Sequence, residues 1–583
     1  MSSSPIAARL ALLASLALAP ACASALPKPR PDVDAALAAL RSRERSGAAP
    51  IASELLERAW DRPEGDTGHE VALLHTGADS LAARAHLIRA ARESIDFQVF
   101  AWEPDEAGHY LFRLLDAAAR RGVRVRVLVD LMANKGAAGL PRVCALHENL
   151  ELRVYNPVGR KSDISRRDFL REGSLSFWRV NQRMHNKVLV VDGRIAIVGG
   201  RNVGQSYFDM DPEFDYLDRD ALVIGPAARA ADESFERYWG WERTVGAAYL
   251  DDVAEELLAW AAGPGAPQAA WPELPRYEWV SARSALARTE EVLPGVRFHA
   301  VERVDFLADP PGKREDAPDP ERAQTRAEEL EENRAREYVL VQSNYLVLRD
   351  ERIRNLGRVL EERPELRVSY LTNSLAATAN TMVYGVSRKQ RTRILRLGLE
   401  VVEMRPLPGD VRHFCPRYDE LAAEASGAGA GPRFAIHAKS VVVDGRWAIV
   451  SSHNLDPRSD ELNTESGLVI WSPEVAGELE AELRLLMSDP NSWRSARERR
   501  IPVLSLLNDI VTSISRALPI LDVWPVRDYG DYELREGAEP VASDDPRFRS
   551  SYRHVGEFPG VGWRKRWQTR FYSCFGGLIQ GLL

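Results

Sequence analysis

The chain has 583 residues, of which 45% are hydrophobic and 28% charged, with a formal net charge of −8. It is too apolar for a disordered chain, carries too little Gly and Pro for a collagen or mucin, and has too few Cys (four) for a disulfide scaffold. The length accommodates two to four domains, and 77 basic against 85 acidic residues argue against a chain built to grip nucleic acid by its phosphates.

At the N-terminus Arg9 precedes an apolar run, Leu10 to Ala19, then small residues and a Pro-rich exit. This is the pattern of a secretory signal over residues 1–21, too short to span a bilayer as a mature helix. Leu18-Ala19-Pro20-Ala21-Cys22 resembles a bacterial lipobox in which Cys22 becomes the lipidated first residue, although Ala19 stands where that box usually has Leu. Cleavage after Ala21, Ala23 or Ala25 is the alternative. Both predict an exported chain, either periplasmic or held at an envelope membrane by a lipid anchor. Cys144, Cys415 and Cys574 are isolated, show no C-x-x-C spacing and define neither a zinc site nor a redox motif; a single disulfide among them is left open.

From residue 66 the pattern is that of a folded α/β unit. SIDFQVFAW (94–102) reads as a strand, GHYLFRLLDAAARRG (108–122) as a helix and VRVRVLVD (123–130) as a strand. RMHNKVLVVDGRIAIVGGRN (183–202) follows, and then Asp218 leads the apolar strand ALVIGP. AAGPGAPQAAWPELP (261–275) looks like a linker, and the charge run over 311–337 like a loop and a solvated helix. The series then recurs. EYVLVQSNYLVL (337–348), RIRNLGRVLEER (352–363) and LRVSYLTNS (366–374) precede AIHAKSVVVDGRWAIVSSHN (435–454), and Glu465 leads GLVIWSP. The two H-x-K-x4-D copies lie 252 residues apart with identical internal spacing. The chain therefore divides into two similar lobes, 66–260 and 290–490, joined by a linker at 261–289 and followed by an extension at 491–583. Strands alternating with helices predict parallel sheets covered by helices.

Each copy has a chemistry. Asp192-Gly193 and Asp444-Gly445 between apolar runs predict hairpins. His185 and Lys187, like His437 and Lys439, are two apart on the incoming strand and so share a face. If the lobes meet about a pseudo-twofold, two His and two Lys line one cleft. Two lysines favour a phosphate, one imidazole can attack phosphorus, and the second can serve as acid and then base. Asn202 and Asn454 can donate to the non-bridging oxygens, and Asp218 and Glu465 can hold the other ring nitrogen of each His. Asp192 and Asp444, although part of the catalytic signature, are expected to organise the turns rather than touch substrate. The lysines argue against a metal centre, since an ammonium cannot ligate a cation; no metal and no cofactor is expected.

These residues, H-x-K-x4-D with a downstream G-G/S-x-N, are the signature of the phospholipase D superfamily, which the chain resembles over about 66–485. That resemblance implies a bilobal α/β chain with its active site between the lobes, sufficient as a monomer, and phosphodiester exchange through phosphohistidine. NQRMHNKVLVVDGRIAIVGGRNVGQSYF (181–208), FLADPPGK (306–313), LTNSLAATANTMVYGVSRKQR (371–391) and SSHNLDPRSDELNTESGLVI (451–470) are most similar to bacterial cardiolipin synthases of the C type. The implied substrates are phosphatidylglycerol and phosphatidylethanolamine at a membrane surface, with His185 as nucleophile and His437 as acid/base. Two positions depart: Asn380 and Tyr384 stand where the C type has an acidic residue and a His. The same site would run as a phospholipase D if water were the acceptor. The competing readings are an exported nuclease of the superfamily, which the acidic balance disfavours, and a non-catalytic protein that kept the fold.

The tail resists this reading. IPVLSLLNDIVTSISRALPILDVWP (501–525) has an amphipathic rhythm, and GWRKRWQTRFYSCFGGLIQGLL (562–583) joins cations, aromatics and an apolar end. It suits either a helix docked on the core or a segment at a lipid interface.

Overall fold

Runs such as VLVV (188–191) and VVV (441–443) are apolar on both alternating faces and rich in β-branched Val, which suits strands buried from both sides. The computed structural model describes residues 25–45, 49–63, 65–131, 139–165, 177–263, 296–313, 334–425, 431–498 and 529–579. The leader with Cys22, most of the linker and of the charge run, and the 501–525 stretch lie outside them.

The first sheet contains β1 (His69–Leu74), β2 (Ser94–Val99), β3 (Arg124–Asp130), β4 (Leu150–Tyr155), β5 (Val188–Val191) and β6 (Ile195–Gly199). A short β7 (Phe214–Leu217) stands apart, and β8 (Asp220–Ile224), β9 (Thr244–Gly246) and β10 (Phe298–Val301) complete the sheet in the order β10-β1-β8-β6-β5-β2-β3-β4-β9. The second sheet draws on β11 (Arg303–Ala308), β12 (Tyr338–Gln342), β13 (Arg367–Asn373) and β14 (Glu400–Met404). After a separate β15 (Arg433–Ile436) come β16 (Lys439–Val443), β17 (Trp447–Ser451), β18 (Ser466–Trp471), β19 (Ser492–Arg497), β20 (Tyr529–Leu534) and β21 (Tyr552–Gly556). Their order is β11-β18-β17-β16-β12-β13-β14-β19-β20-β21. Eight strands of each sheet thus correspond one to one. The differences are at the edges, where β10 extends the first sheet and the C-terminal β20 and β21 extend the second.

The sheets are mixed, not parallel as the strand–helix alternation predicts. Only β2-β3-β4 and β12-β13-β14 run parallel, being linked by helical crossovers such as Glu106–Arg121 and Asp350–Glu362. The D-G turns make the β5/β6 and β16/β17 pairs antiparallel. In each turn Asp and Gly are both left-handed: φ is 53° and 62° at Asp192 and Gly193, and 52° and 59° at Asp444 and Gly445. Two consecutive positive φ values define a type I′ hairpin.

Strand alternation distributes the core. Leu189, Ile95, Phe97 and Leu222 face the outer helices of the first lobe, and Val339, Val441 and Val469 those of the second. The opposite faces, among them Val188, Val190, Val198, Leu340, Val442 and Leu468, join one cluster with the helices Pro226–Trp239 and Pro473–Met487. The lobes therefore share a continuous apolar interior, which fixes the position of one sheet's strand ends against the other's.

Candidate active site

The motif residues sit where the chain enters each hairpin. His185 and Lys187 precede β5, and His437 precedes β16, whose first residue is Lys439. His185, Lys187 and His437 are thus in the extended approach to the strands, and Lys439 opens its strand. The backbone there is held by the other lobe: the His185 amide donates to the Thr464 carbonyl (2.9 Å) and the His437 amide to the Leu217 carbonyl (2.8 Å). Beside the second contact β15 and β7 form a two-stranded parallel ribbon across the lobes, and beside the first Met184 bridges Thr464. These equivalent seams bring both His residues to one cavity of about 410 Å³.

The carboxylates act across the seam. Glu465 accepts from His185 Nδ1 at 2.8 Å, and Asp218 from His437 Nδ1 at 2.5 Å. Each imidazole is therefore oriented by the acid of the opposite half, and its Nε2 is the ring nitrogen left for chemistry. Glu465 also accepts from Ser452 Oγ, while its backbone amide donates to Asp309. Asp309 in turn pairs with the fully buried Lys313 at 2.9 Å, so the FLADPPGK segment lies under Glu465 as a support.

Burial depresses both imidazoles, with Lys187 and Lys439 adding to the effect against the carboxylates: His185 falls to about 4 and His437 to about 3. Burial likewise lowers Lys187 to about 7 and Lys439 to about 8. For the carboxylates burial works upward, but His437 and Lys439 hold Asp218, and His185 holds Glu465, well below the usual carboxylate range. Near neutrality the cleft thus holds neutral rings between ionised acids and lysine side chains whose protons are loosely held.

The two histidines are not equivalent. Lys187 Nζ donates to the His185 carbonyl at 2.6 Å, whereas Lys439 Nζ stands 2.9 Å from Nδ1 and 3.2 Å from Nε2 of His437. Phe100 packs edge-on against the His185 ring at 5.1 Å; Tyr207 and Tyr216, stacked on each other, flank His437 at 5.2 Å. At the place of Phe100 the second half has Asn344, which also lines the cavity. Asn202 and Asn454 both reach the cavity wall. Asn202 is already engaged, accepting from the Ala101 amide and donating to Tyr207 Oη at 3.0 Å.

Asp192 and Asp444 do not line the cavity. Asp192 accepts from the amides of Arg92, Glu93 and Ser94, and Asp444 from those of Arg336, Glu337 and Tyr338. They fasten each hairpin to the start of β2 or β12, so they act at the turns and not on the cavity wall. Sequence reasoning missed Phe100, Tyr207, Tyr216, Asp456 and Arg458, all on the wall. None is repeated in both halves, so the internal repeat carries no signal for them.

The departures at Asn380 and Tyr384 have different outcomes. Asn380 lines the cavity and caps the helix Thr381–Arg396, accepting from the amides of Met382 and Val383. Tyr384 points elsewhere: its hydroxyl donates to buried Glu403, and its ring packs on Phe558 of the C-terminal extension. Cys144 and Cys415 are buried free thiols.

The family model described as cardiolipin synthase, PLD-like domain, matches residues 85–239 and 331–487. Cardiolipin synthase C of Escherichia coli (strain K12) is 30% identical over 413 residues, covering 69% of this chain and 81% of that one. An uncharacterized protein of Helicobacter pylori (strain ATCC 700392 / 26695) is 29% identical over 456 residues, 75% of this chain and 82% of its own. Among solved structures, phosphatidylserine synthase of Haemophilus influenzae Rd KW20 aligns with a TM-score of 0.45 at 16% identity, over 71% of this chain and 85% of that one.

Proposed function

The chain belongs to the cardiolipin synthase family of phospholipase D-like proteins, and on that premise we propose that it transfers a phosphatidyl group to the hydroxyl of phosphatidylglycerol through a phosphohistidine. The observation that carries this reading is the pair of imidazoles on one cavity, each held at Nδ1 by the opposite lobe's carboxylate. In the first step His185 Nε2 attacks phosphorus; the P–N bond forms as the P–O bond to the head-group alcohol breaks, and His437 gives its proton to the leaving oxygen. In the second, His437 takes the proton of the acceptor hydroxyl, which attacks phosphorus and displaces His185. Lys187 and Lys439, buried behind the wall next to the two histidines, counter the charge of the non-bridging oxygens, and Asn202 and Asn454 face them from the wall itself. An entering phosphate opposes the desolvation that keeps the rings neutral, and so favours the protonated acid only when substrate is present. The closeness of Lys439 to His437 Nε2 makes that nitrogen the poorer nucleophile, which supports His185 as the attacking residue.

The proposal includes export, with Cys22 acylated and the catalytic lobes at the envelope membrane. The test is to incubate the purified protein with phosphatidylglycerol, with and without phosphatidylethanolamine, and to separate the lipids. New cardiolipin, undiminished by EDTA, is expected. Phosphatidic acid alone would make the enzyme a hydrolase, and DNA cleavage without lipid turnover would overturn the lipid reading. Radiolabelled fatty acid incorporated into the parent but not Cys22→Ser would establish the anchor.

A further inference from the structure

The described residues leave five large hydrophobic side chains exposed: Trp178, Leu407, Trp563, Trp567 and Phe571. Three of them fall at i, i+4 and i+8 of the C-terminal helix Trp563–Ile579, where they are 69%, 57% and 60% exposed. Residues at that spacing form one stripe along a helix. The opposite face is anchored. Ser573 Oγ donates to the Gly385 carbonyl (2.8 Å) and Lys565 Nζ to that of Thr378 (3.3 Å), a residue of the cavity wall. A Cβ on Gly385 would come within 3.0 Å of the Thr569 carbonyl, so this glycine admits the helix at close range. The stripe is thus held out to solvent beside the cavity, on a helix whose inner face is satisfied.

The other two exposed residues are each linked, through a chain neighbour, to the cavity wall or to a residue next to it. Trp178 shares a one-turn helix with Asn181, which accepts from Arg458 of the cavity wall. Leu407 follows Pro406, whose carbonyl accepts from Phe434, next to the wall residues Ala435 and Ile436. The charge of the helix agrees in sign with one class of partner: residues 563–573 contain Arg564, Lys565, Arg566 and Arg570 and no acidic residue, in a chain that is acidic overall. Indole rings with flanking cations are the side chains that settle at the headgroup level of an anionic bilayer.

We propose that Trp563, Trp567 and Phe571, with Arg564 beside them, dock the enzyme on an anionic phospholipid surface and set the mouth of the cleft against it. This rests on the phospholipid reading of the site. The inference commits to a bilayer rather than a protein because Arg564 stands beside the aromatic stripe on a helix with no acidic residue over 563–573, next to a cavity read as taking phospholipid.

The test uses the full chain carrying Cys22→Ser, so that no acyl group contributes. It is mixed with vesicles of phosphatidylglycerol or phosphatidylcholine with brominated acyl chains, which quench only indoles inserted among them; the leader contains no Trp. Strong quenching is expected on phosphatidylglycerol, at least fivefold less on phosphatidylcholine, and a fall of similar size in Trp563→Ala/Trp567→Ala/Phe571→Ala. Arg564→Glu should weaken binding and its dependence on salt. Turnover of short-chain, non-vesicular phosphatidylglycerol should persist in both variants. Undiminished quenching in the triple variant would overturn the docking surface while leaving the activity in place. Loss of lipid turnover in the parent with quenching intact would overturn the activity and leave the surface. A change from dimer to monomer in the triple variant, without a change in quenching, would assign the stripe to a second copy of the chain and refute the lipid assignment.

Discussion

At the scale of single residues the site depends on keeping two histidines neutral and two lysines charged in one buried cleft. His185 at about 4 and His437 at about 3 lose their protons far below neutrality, while Lys187 at about 7 loses its proton around neutrality and Lys439 at about 8 just above it. The signs then define a window. As pH rises through 4 the attacking ring of the free enzyme becomes unprotonated and activity appears; as it rises past 7 the lysines cease to be cations and phosphate binding fails. The profile of kcat/KM, which reports the free enzyme, is expected to be bell-shaped with limbs near these values. Asp456, a residue of the cavity wall raised to about 7 by burial and by Asp460, titrates in the same range. Asp456→Asn should leave the alkaline limb in place, whereas a limb that disappears in that variant would transfer it from the lysines to Asp456.

At the scale of elements the hairpins carry the site, and two features control them. The pair before each Asn is Gly199-Gly200 in one half and Ser451-Ser452 in the other. A Cβ on Gly200 would lie 2.2 Å from Asp218 Oδ1, whereas Ser452, at the equivalent place, donates to Glu465. Gly with Asp and Ser with Glu are therefore matched sets. Gly200→Ala should displace Asp218 and lower kcat by at least about tenfold through His437, the scale of about 1.4 kcal/mol in the barrier. Ser452→Gly should be milder, since Glu465 keeps His185 and the Asp309 amide contact. The hairpin turns predict a different phenotype. Asp192→Ala removes the acceptor of three backbone amides and puts Ala at positive φ, so unfolding should become easier by about 2–4 kcal/mol. Turnover per folded molecule should stay near the parent value, as chemical denaturation and active-site titration together would establish. These elements were largely legible in the sequence, because the D-G pairs and the two H-x-K copies specify turns and spacing locally. The mixed sheet order was not. Whether a strand pairs parallel or antiparallel depends on which neighbour it finds across the sheet, and runs such as VRVRVLVD and KVLVV read alike in either case.

At the scale of the molecule, the sequence pointed to an acid for each histidine without saying which. Asp218 follows His185 in the chain and Glu465 follows His437, so proximity suggests pairs within each lobe; the fold makes them between lobes. The reason lies in the shared apolar interior. It packs the sheets face to face, so that Leu217 meets the His437 backbone and Thr464 that of His185, carrying the next residue's carboxylate into the opposite motif. The arrangement makes the active site a property of lobe packing, and a double-mutant cycle on stability can read it. His437→Gln with Asp218→Asn, and His185→Gln with Glu465→Gln, should each show coupling of about 0.5–3 kcal/mol, because each pair shares a buried charged contact. The within-lobe combinations, His185→Gln with Asp218→Asn and His437→Gln with Glu465→Gln, should be additive to within about 0.5 kcal/mol. The reverse pattern would mean that each lobe holds its own histidine, and the seams formed by β7 with β15 and by Met184 with Thr464 would then have no catalytic consequence.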